Sequence, residues 1–160
     1  MDDAAKKTVL SCFPYGLFAV TVKHGGDEHG MTANWVAQAS FEPPMVAVAV
    51  ENGSKTIAMI RDAHHFAVSV FQQGQRDLAG KLGRSSEQTT NKLKGIKTKP
   101  APTSGAPILA DALGWVECRV VATLPSGDHT LVLGEVVAAG VEHDGTQPLT
   151  LQEAGFSYSG

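Results

Sequence analysis

Residues 52–56, Asn-Gly-Ser-Lys-Thr, combine the residue types that bind a phosphate group. They follow an apolar run and precede a predicted helix, of which Ser54 is the expected N-cap. The first amides of a helix have no partners within it, and the helix dipole adds partial positive charge there. The Asn52 amide, the Lys55 ammonium and the hydroxyls of Ser54 and Thr56 add donors, so we predict an anion site. A turn with a capping serine and a surface lysine is the alternative that these residues leave open.

Residues 30–40 form a second candidate, because small polar and apolar side chains alternate along them. Thr32, Asn34 and Ser40 stand at even positions, whereas Ala33 and Trp35 stand at odd ones. A strand of small residues lets the backbone approach a flat ligand, whose ring carbonyls and nitrogens its amides can bind. An edge strand with one solvated face is the alternative.

Residues 127–130, Gly-Asp-His-Thr, are predicted to form a tight turn before a long strand. His129 beside Asp128 is a candidate proton donor or polar contact near neutral pH. The alternative is that Asp128 caps the turn and that His129 is structural.

Other chemistries lack support in the sequence. The six histidines and two cysteines show no spacing of metal ligands, so no metal is predicted. Neither a Gly-x-Ser-x-Gly nucleophile elbow nor a Gly-x-Gly-x-x-Gly dinucleotide fingerprint is present. A net charge of −3 disfavours binding to nucleic acid.

The elements that must position these residues are mainly strands. Apolar patterns of period two and β-branched runs predict about six strands, and two amphipathic stretches predict short helices. The strands are expected at residues 17–23, 31–40, 45–51, 65–71, 115–124 and 130–141, and the helices at 54–62 and 75–82. Residues 24–27 are expected to form the turn after the first strand, and Pro43-Pro44 to break the ladder. Together these elements predict an α+β fold, mainly β, in a closed or nearly closed barrel.

Residues 83–107 show no periodicity and are predicted to be a long loop. A loop of that length in a small protein is usually functional or packed on a partner subunit. We therefore take it as one argument for a homodimer.

The composition fits one soluble domain. The 160 residues are 42% hydrophobic and 18% charged, and we predict a single domain over 1–160. The longest apolar run, residues 45–50, is far shorter than the roughly 20 residues of a membrane span, so no membrane partner is expected. No secretory signal is apparent, and the isolated Cys12 and Cys118 are typical of reduced thiols, so we expect the cytoplasm.

Six stretches, in this order, resemble the flavin reductase-like family, and most closely its flavoredoxin-type members. The matching stretches are residues 18–22, Phe-Ala-Val-Thr-Val; 30–35, Gly-Met-Thr-Ala-Asn-Trp; 39–44, Ala-Ser-Phe-Glu-Pro-Pro; 52–56; 66–70, Phe-Ala-Val-Ser-Val; and Glu-Cys-Arg at 117–119 with Gly-Asp-His-Thr-Leu at 127–131. The resemblance spans about residues 10–141 and implies an FMN-binding split β-barrel that forms a homodimer.

The resemblance also implies roles for the candidate residues. Asn52, Ser54, Lys55 and Thr56 would bind the FMN phosphate, and His129 would lie near the flavin and the incoming nicotinamide as the catalytic residue. The residues that would line the flavin ring and the ribityl chain are Thr32, Ala33, Asn34, Trp35, Ala39 and Ser40.

Three functions are compatible with this resemblance. The first is an FMN-dependent oxidoreductase that passes hydride or electrons from NADH or NADPH through flavin to free flavin or another acceptor. The second is a flavoredoxin-like electron carrier that acts with an electron-acceptor protein. The third is a pyridoxamine-phosphate-oxidase-like protein that binds another flavin or haem ligand. Fold alone does not separate them, because function depends on the site.

Overall fold

A computed structural model describes residues 1–158, which form four helices and nine strands. In chain order the elements are α1 (Asp3–Ser11), β1 (Phe18–His24), β2 (Asp27–Ala33), β3 (Val36–Ser40), β4 (Met45–Glu51), α2 (Lys55–Ala63), β5 (His65–Val70), α3 (Arg76–Leu82), β6 (Thr98–Pro100), β7 (Pro107–Leu109), β8 (Gly114–Ser126), β9 (His129–Val141) and α4 (Leu151–Ala154).

Seven strands form one antiparallel sheet in the order β2-β1-β5-β8-β9-β4-β3. Its two edges, β2 and β3, are neighbours in the chain and are joined only through Asn34 and Trp35. The short link forces the edges close together, so the sheet curls towards closure, while no ladder joins β2 to β3 within residues 1–158. The predicted split β-barrel of the α+β type is confirmed.

Apolar side chains on one face of the strands fill the barrel. Val20 and Val22 of β1 and Val48 of β4 are fully buried and belong to one cluster with Ile57 and Ile60 of α2. Successive side chains of a strand point to opposite faces, so this spacing places one face of β1 and β4 inside. Because α2 belongs to that core, its first turn is held in a fixed place.

The predicted strand over residues 31–40 is wrong as a single element. The chain leaves the ladder at Asn34 and Trp35, where it passes from one sheet edge to the other, so it forms β2 and β3. Strand β2 also begins earlier than predicted. His24 pairs with Asp27, and the turn consists of Gly25 and Gly26 alone, both with positive φ. The other five strands and both helices are confirmed to within two residues.

Two helices were not predicted. Helix α1 buries none of its residues, so it lacks the apolar face by which periodicity detects helices. Helix α4 is a single turn that begins with a capping box between Thr150 and Glu153. That Thr-x-x-Glu pattern is visible in the sequence and could have revealed it. No helix within residues 1–158 is long and apolar enough to cross a membrane.

The prediction that residues 83–107 form one long loop is wrong in part, because the segment contains β6 and the first residue of β7. All side chains of β7 are buried. The buried Glu117 carboxylate accepts hydrogen bonds from the amides of Thr103 and Ser104 and from the Ser104 hydroxyl, so part of the segment packs on its own chain. Burial alone raises the Glu117 pKa, but these hydrogen bonds outweigh it and the net pKa is lowered. The homodimer stays a prediction.

Candidate functional site

The structure contains a cleft with a volume of about 1060 Å³. Its walls are the second half of β2, the link to β3, the end of β4 with the start of α2, the end of α3 with the residues after it, and the C-terminal segment. A cleft of this size accepts a ligand as large as a nucleotide cofactor. The predicted site residues that line it are Thr32, Ala33, Asn34, Trp35, Ser54, Lys55, Thr56 and His129.

The start of α2 and the residues just before it line one part of the cleft, and we call residues 52–56 the phosphate turn. The Ser54 hydroxyl accepts a hydrogen bond from the Ile57 amide at 3.3 Å and donates to the Glu51 carbonyl at 2.8 Å, so it caps the helix as predicted. The amides of Lys55 and Thr56 donate to no protein acceptor within residues 1–158. Thr56 is buried and Lys55 is exposed, and both line the cleft. Two amides, a hydroxyl and an ammonium therefore line this part of the cleft, and such a set of donors suits an anion.

Asn52 does not line the cleft but binds the turn that carries His129. Its side-chain amide donates to the Gly127 carbonyl at 3.0 Å and accepts from the Thr130 hydroxyl at 2.6 Å, while its backbone amide donates to Asp128. Asn52 thus joins the phosphate turn to the turn that carries His129. Two motifs 75 residues apart are brought side by side by this contact.

Beside the phosphate turn lies an aromatic cluster of Trp35, His129 and Tyr158, since Glu51 at the end of β4 pairs with His129 at the start of β9. The ring of Trp35 lies 4.7 Å from that of His129 and 5.3 Å from that of Tyr158, measured between centroids. His129 is 8% exposed, whereas Tyr158 is 49% exposed. The rings are tilted to one another by 56° to 75°, so they form a mostly apolar wall with one imidazole edge. A single ring face of such a wall suits stacking with a planar heterocycle.

Hydrogen bonds define the state of His129. Its Nδ1 lies 2.6 Å from the Asp128 carboxylate, and because a carboxylate only accepts, Nδ1 carries the hydrogen. In the neutral ring Nε2 then accepts from the Tyr158 hydroxyl at 3.2 Å. Burial and the charges of Glu51 and Asp128 raise the Tyr158 pKa, so that hydroxyl stays protonated at neutral pH. The hydrogen bond to His129 also lowers the Asp128 pKa.

The residues predicted to line the ring divide into two groups. Thr32 and Asn34 lie in the cleft, but the Thr32 hydroxyl donates to the Ala79 carbonyl at 2.6 Å, and Asn34 donates to the Tyr158 carbonyl at 3.0 Å. Ala39 and Ser40 do not line the cleft of their own chain. They lie at the far end of edge strand β3, where the register shifts between Gln38 and Ser40.

Sequence reasoning missed three residues of the cleft. Tyr158 gave no signal, because its contacts span 29 and 124 residues of chain. Lys92 gave none either; it is buried and donates to the carbonyls of Leu82 and Arg84, both at 3.0 Å. His29 could have been found, because it lies two residues before Met31 and four before Ala33, and the alternation of a strand puts all three on one face.

The chain is similar to known flavoproteins over most of its length. The sequence model of the family described as "Flavin reductase like domain" matches residues 10–159. An NADH-dependent FAD reductase of Streptomyces globisporus is 32% identical over 139 residues, which cover 86% of this chain and 76% of that protein. A putative diflavin flavoprotein A 3 of Nostoc sp. is 35% identical over 127 residues, or 79% of this chain. The match spans only 22% of that much longer protein.

The fold is also that of a solved enzyme. The NADH:FAD oxidoreductase SgcE6 of Streptomyces globisporus C-1027 superposes with a TM-score of 0.84 at 28% identity, covering 93% of this chain and 89% of that one. The family match extends over most of the chain. Residues of all three predicted motifs, 30–40, 52–56 and 127–130, line the cleft. The chain belongs to the flavin reductase-like family.

Proposed function

We propose that this protein is an NAD(P)H-dependent flavin reductase that uses FMN and passes electrons to free flavin or another acceptor. One observation carries the proposal: a single cleft is lined both by free helix amides and by a histidine-containing aromatic cluster. A flavin nucleotide has the matching chemistry, with a phosphate at one end and a planar ring system at the other. The similarity to an NADH-dependent FAD reductase supports the same reaction class.

The donor set fits a flavin phosphate. The amides of Lys55 and Thr56, the Thr56 hydroxyl and the Lys55 ammonium would bind it, since they lack other protein acceptors or point into the cleft. When bound, flavin accepts a hydride equivalent from the nicotinamide and yields electrons to an acceptor. We favour FMN over FAD because the phosphate turn provides one compact anion site at the start of one helix.

The aromatic cluster would bind the ring end and orient the nicotinamide. Trp35 provides a face for stacking, and His129, fixed by Asp128 and Tyr158, presents its Nε2 edge next to that face. A side chain held by two hydrogen bonds needs little reorganisation when a ligand arrives, which favours an oriented encounter.

A homodimer and a cytoplasmic location complete the proposal. Apolar side chains are exposed on the outside of the barrel, among them Phe41 at 88%, Val141 at 71% and Leu124 at 61%. Burial of such a surface in a subunit interface is favourable. A dimer would also give a role to Ala39 and Ser40, which a partner's cleft can reach although their own cannot. The free thiols Cys12 and Cys118 fit a reducing compartment.

Oxidation of NADH and of NADPH by the purified protein tests the function. We expect oxidation that depends on added flavin and saturates at a lower concentration of FMN than of riboflavin or FAD. Flavin binding without NAD(P)H oxidation would instead identify the electron carrier. A protein that binds no flavin, as judged from its absorption spectrum after desalting, would refute the proposal. Light scattering that reports a monomer in the presence of flavin would refute the homodimer separately.

A further inference from the structure

His29 is a buried polar side chain of the cleft that makes no hydrogen bond to protein within residues 1–158. The residue is only 5% exposed, yet neither of its ring nitrogens has a protein partner in that part of the chain. No side-chain nitrogen or oxygen of the described residues is both shut off from solvent and unpaired, so the ring nitrogens of His29 face the cleft. A histidine that served only to fill the core would bond its nitrogens to neighbouring protein groups.

The position of His29 on β2 directs it towards the phosphate turn. Met31 and Ala33, two and four residues further on, share its face of the strand and pack in the cluster that contains Ile57 of α2. His29 therefore lies on the wall that faces the start of α2. The charges of Lys55 and Lys92 both act on its ring and, with burial as the largest cause, lower the His29 pKa from 6.5 to about 4. The imidazole is therefore neutral at physiological pH and has one N–H to donate.

Lys92 brings a second cation to the same region. Its ammonium donates to the carbonyls of Leu82 and Arg84 and so closes the C-terminal end of α3. An ammonium has three N–H donors, and these two bonds leave one. Lys92 also lines the cleft, on the wall contributed by the residues after α3. A neutral donor thus lines the same cleft as two lysines, one at the start of α2 and one in the segment after α3.

We propose that His29 is a hydrogen-bonding ligand for a phosphate ester in the cleft, namely the flavin phosphate, on the wall opposite the phosphate turn. The inference rests on the proposed function and deepens it, because it assigns a residue outside the 52–56 motif to phosphate binding. A phosphate bound there would receive donors from α2 on one side and from β2 on the other. The lysines supply charge, and the imidazole supplies a directed hydrogen bond without adding a third positive charge to a confined site.

Binding of FMN and of riboflavin to His29→Leu and His29→Gln tests the assignment. The dissociation constants are measured by the quenching of flavin fluorescence, which needs no turnover. We expect His29→Leu to weaken FMN about tenfold while riboflavin changes less than about twofold, since only FMN carries the phosphate. His29→Gln, which retains an N–H donor, should recover part of the loss. The exposed His24, at the end of β1, provides the matched control His24→Gln, for which neither ligand should change.

The outcomes separate the inference from the function on which it rests. Equal loss of FMN and riboflavin, or no loss of FMN, overturns the assignment of His29. An unchanged FMN affinity with a raised KM for NADH assigns His29 to the nicotinamide nucleotide's phosphates and overturns the flavin assignment. The wild-type protein provides a second measurement in case the variants do not fold. Inorganic phosphate and FMN, but not riboflavin, should shift the imidazole ¹⁵N resonances of His29. Absence of any flavin binding refutes the function, whereas absence of a shift with either phosphate refutes the inference.

Discussion

The phosphate turn and the aromatic cluster, which adjoin each other in the cleft, are held in place by different kinds of contact. At the phosphate turn the donors are mainly backbone amides, whose positions follow from the cap of Ser54 and from Ile57 and Ile60, which anchor α2 in the barrel core. At the aromatic cluster, three side chains from distant parts of the chain hold one another, and Tyr158 belongs to the C-terminal segment and is half exposed. The phosphate turn is fixed by the core, whereas the aromatic cluster is fixed by contacts among side chains, from the buried His129 to the half-exposed Tyr158.

This difference suits the phosphate turn and the aromatic cluster to different functions. A rigid set of amides is suited to hold a charged group that stays in place throughout turnover. An aromatic cluster held by hydrogen bonds presents an oriented surface to a second molecule that arrives and leaves. Substitutions at the phosphate turn should therefore change affinity for FMN, and substitutions in the aromatic cluster should change rate.

Replacement of Ser54 and Thr56 together by Ala should have the largest effect. It removes the Thr56 hydroxyl, which is a proposed phosphate ligand, and the Ser54 hydroxyl, whose hydrogen bonds with Glu51 and Ile57 hold the phosphate turn in place. A hydrogen bond to a charged group contributes about 1.5–3 kcal/mol. FMN affinity should fall by at least about tenfold and up to about a hundredfold, while riboflavin affinity stays nearly constant. Equilibrium titration of both flavins measures the ratio.

The control for this variant is another helix cap. Ser54→Ala also removes the cap of α2, which costs about 1 kcal/mol of stability by itself. Asp2 caps α1 through the amides of Ala4 and Ala5, and no residue of that helix lines the cleft, so Asp2→Ala reproduces a lost cap without touching the site. If the double variant bound FMN and riboflavin with equally reduced affinity, the phosphate turn would not bind the phosphate separately from the ring.

The acid stability of the ligand-free protein provides the next largest effect. The His29 pKa is lowered from 6.5 to about 4, so between these values the unfolded chain binds a proton that the folded chain does not. Stability is therefore greatest above pH 6.5 and decreases as the pH falls towards 4. The loss between pH 7 and 4.5 should be about 2 kcal/mol larger for the wild type than for His29→Gln. Urea unfolding of both proteins at the two pH values measures this difference. Parallel decreases would show that His29 titrates normally.

The same contrast explains how far the sequence could predict the site. The phosphate turn lies within five consecutive residues, so its cap and its position at a strand–helix junction are readable locally. The contacts of Tyr158 with Asn34 and His129, and the use of Asn52 to bind the turn of residues 127–130, depend on chain segments that meet only after folding. The break between β2 and β3 was missed for a related reason. It follows from closure of the barrel, and nothing in the alternation of residues 31–40 marks it.

Replacement of His129 by Ala tests the aromatic cluster. We expect FMN affinity to change little, because the phosphate turn is intact, and NADH oxidation at saturating flavin to slow about tenfold through loss of orientation. Stopped-flow measurement with the FMN-loaded variant gives the rate, and a thermal melt reports stability. A lower melting temperature with an unchanged rate would instead assign His129 a structural role through its bond to Asp128.

Replacement of Tyr158 by Phe should have the smallest effect and separates two contributions of one residue. The ring contact with Trp35 and the backbone acceptor for Asn34 remain, and only the hydroxyl that donates to His129 Nε2 is lost. One neutral hydrogen bond contributes about 1 kcal/mol, so the rate should fall about fivefold, with FMN affinity unchanged. In the background of His129→Ala the same substitution should have no further effect on rate, because its partner is already absent. Additive losses in this double-mutant cycle would mean that Tyr158 acts on the ligand directly, and the aromatic cluster would then not function as one unit.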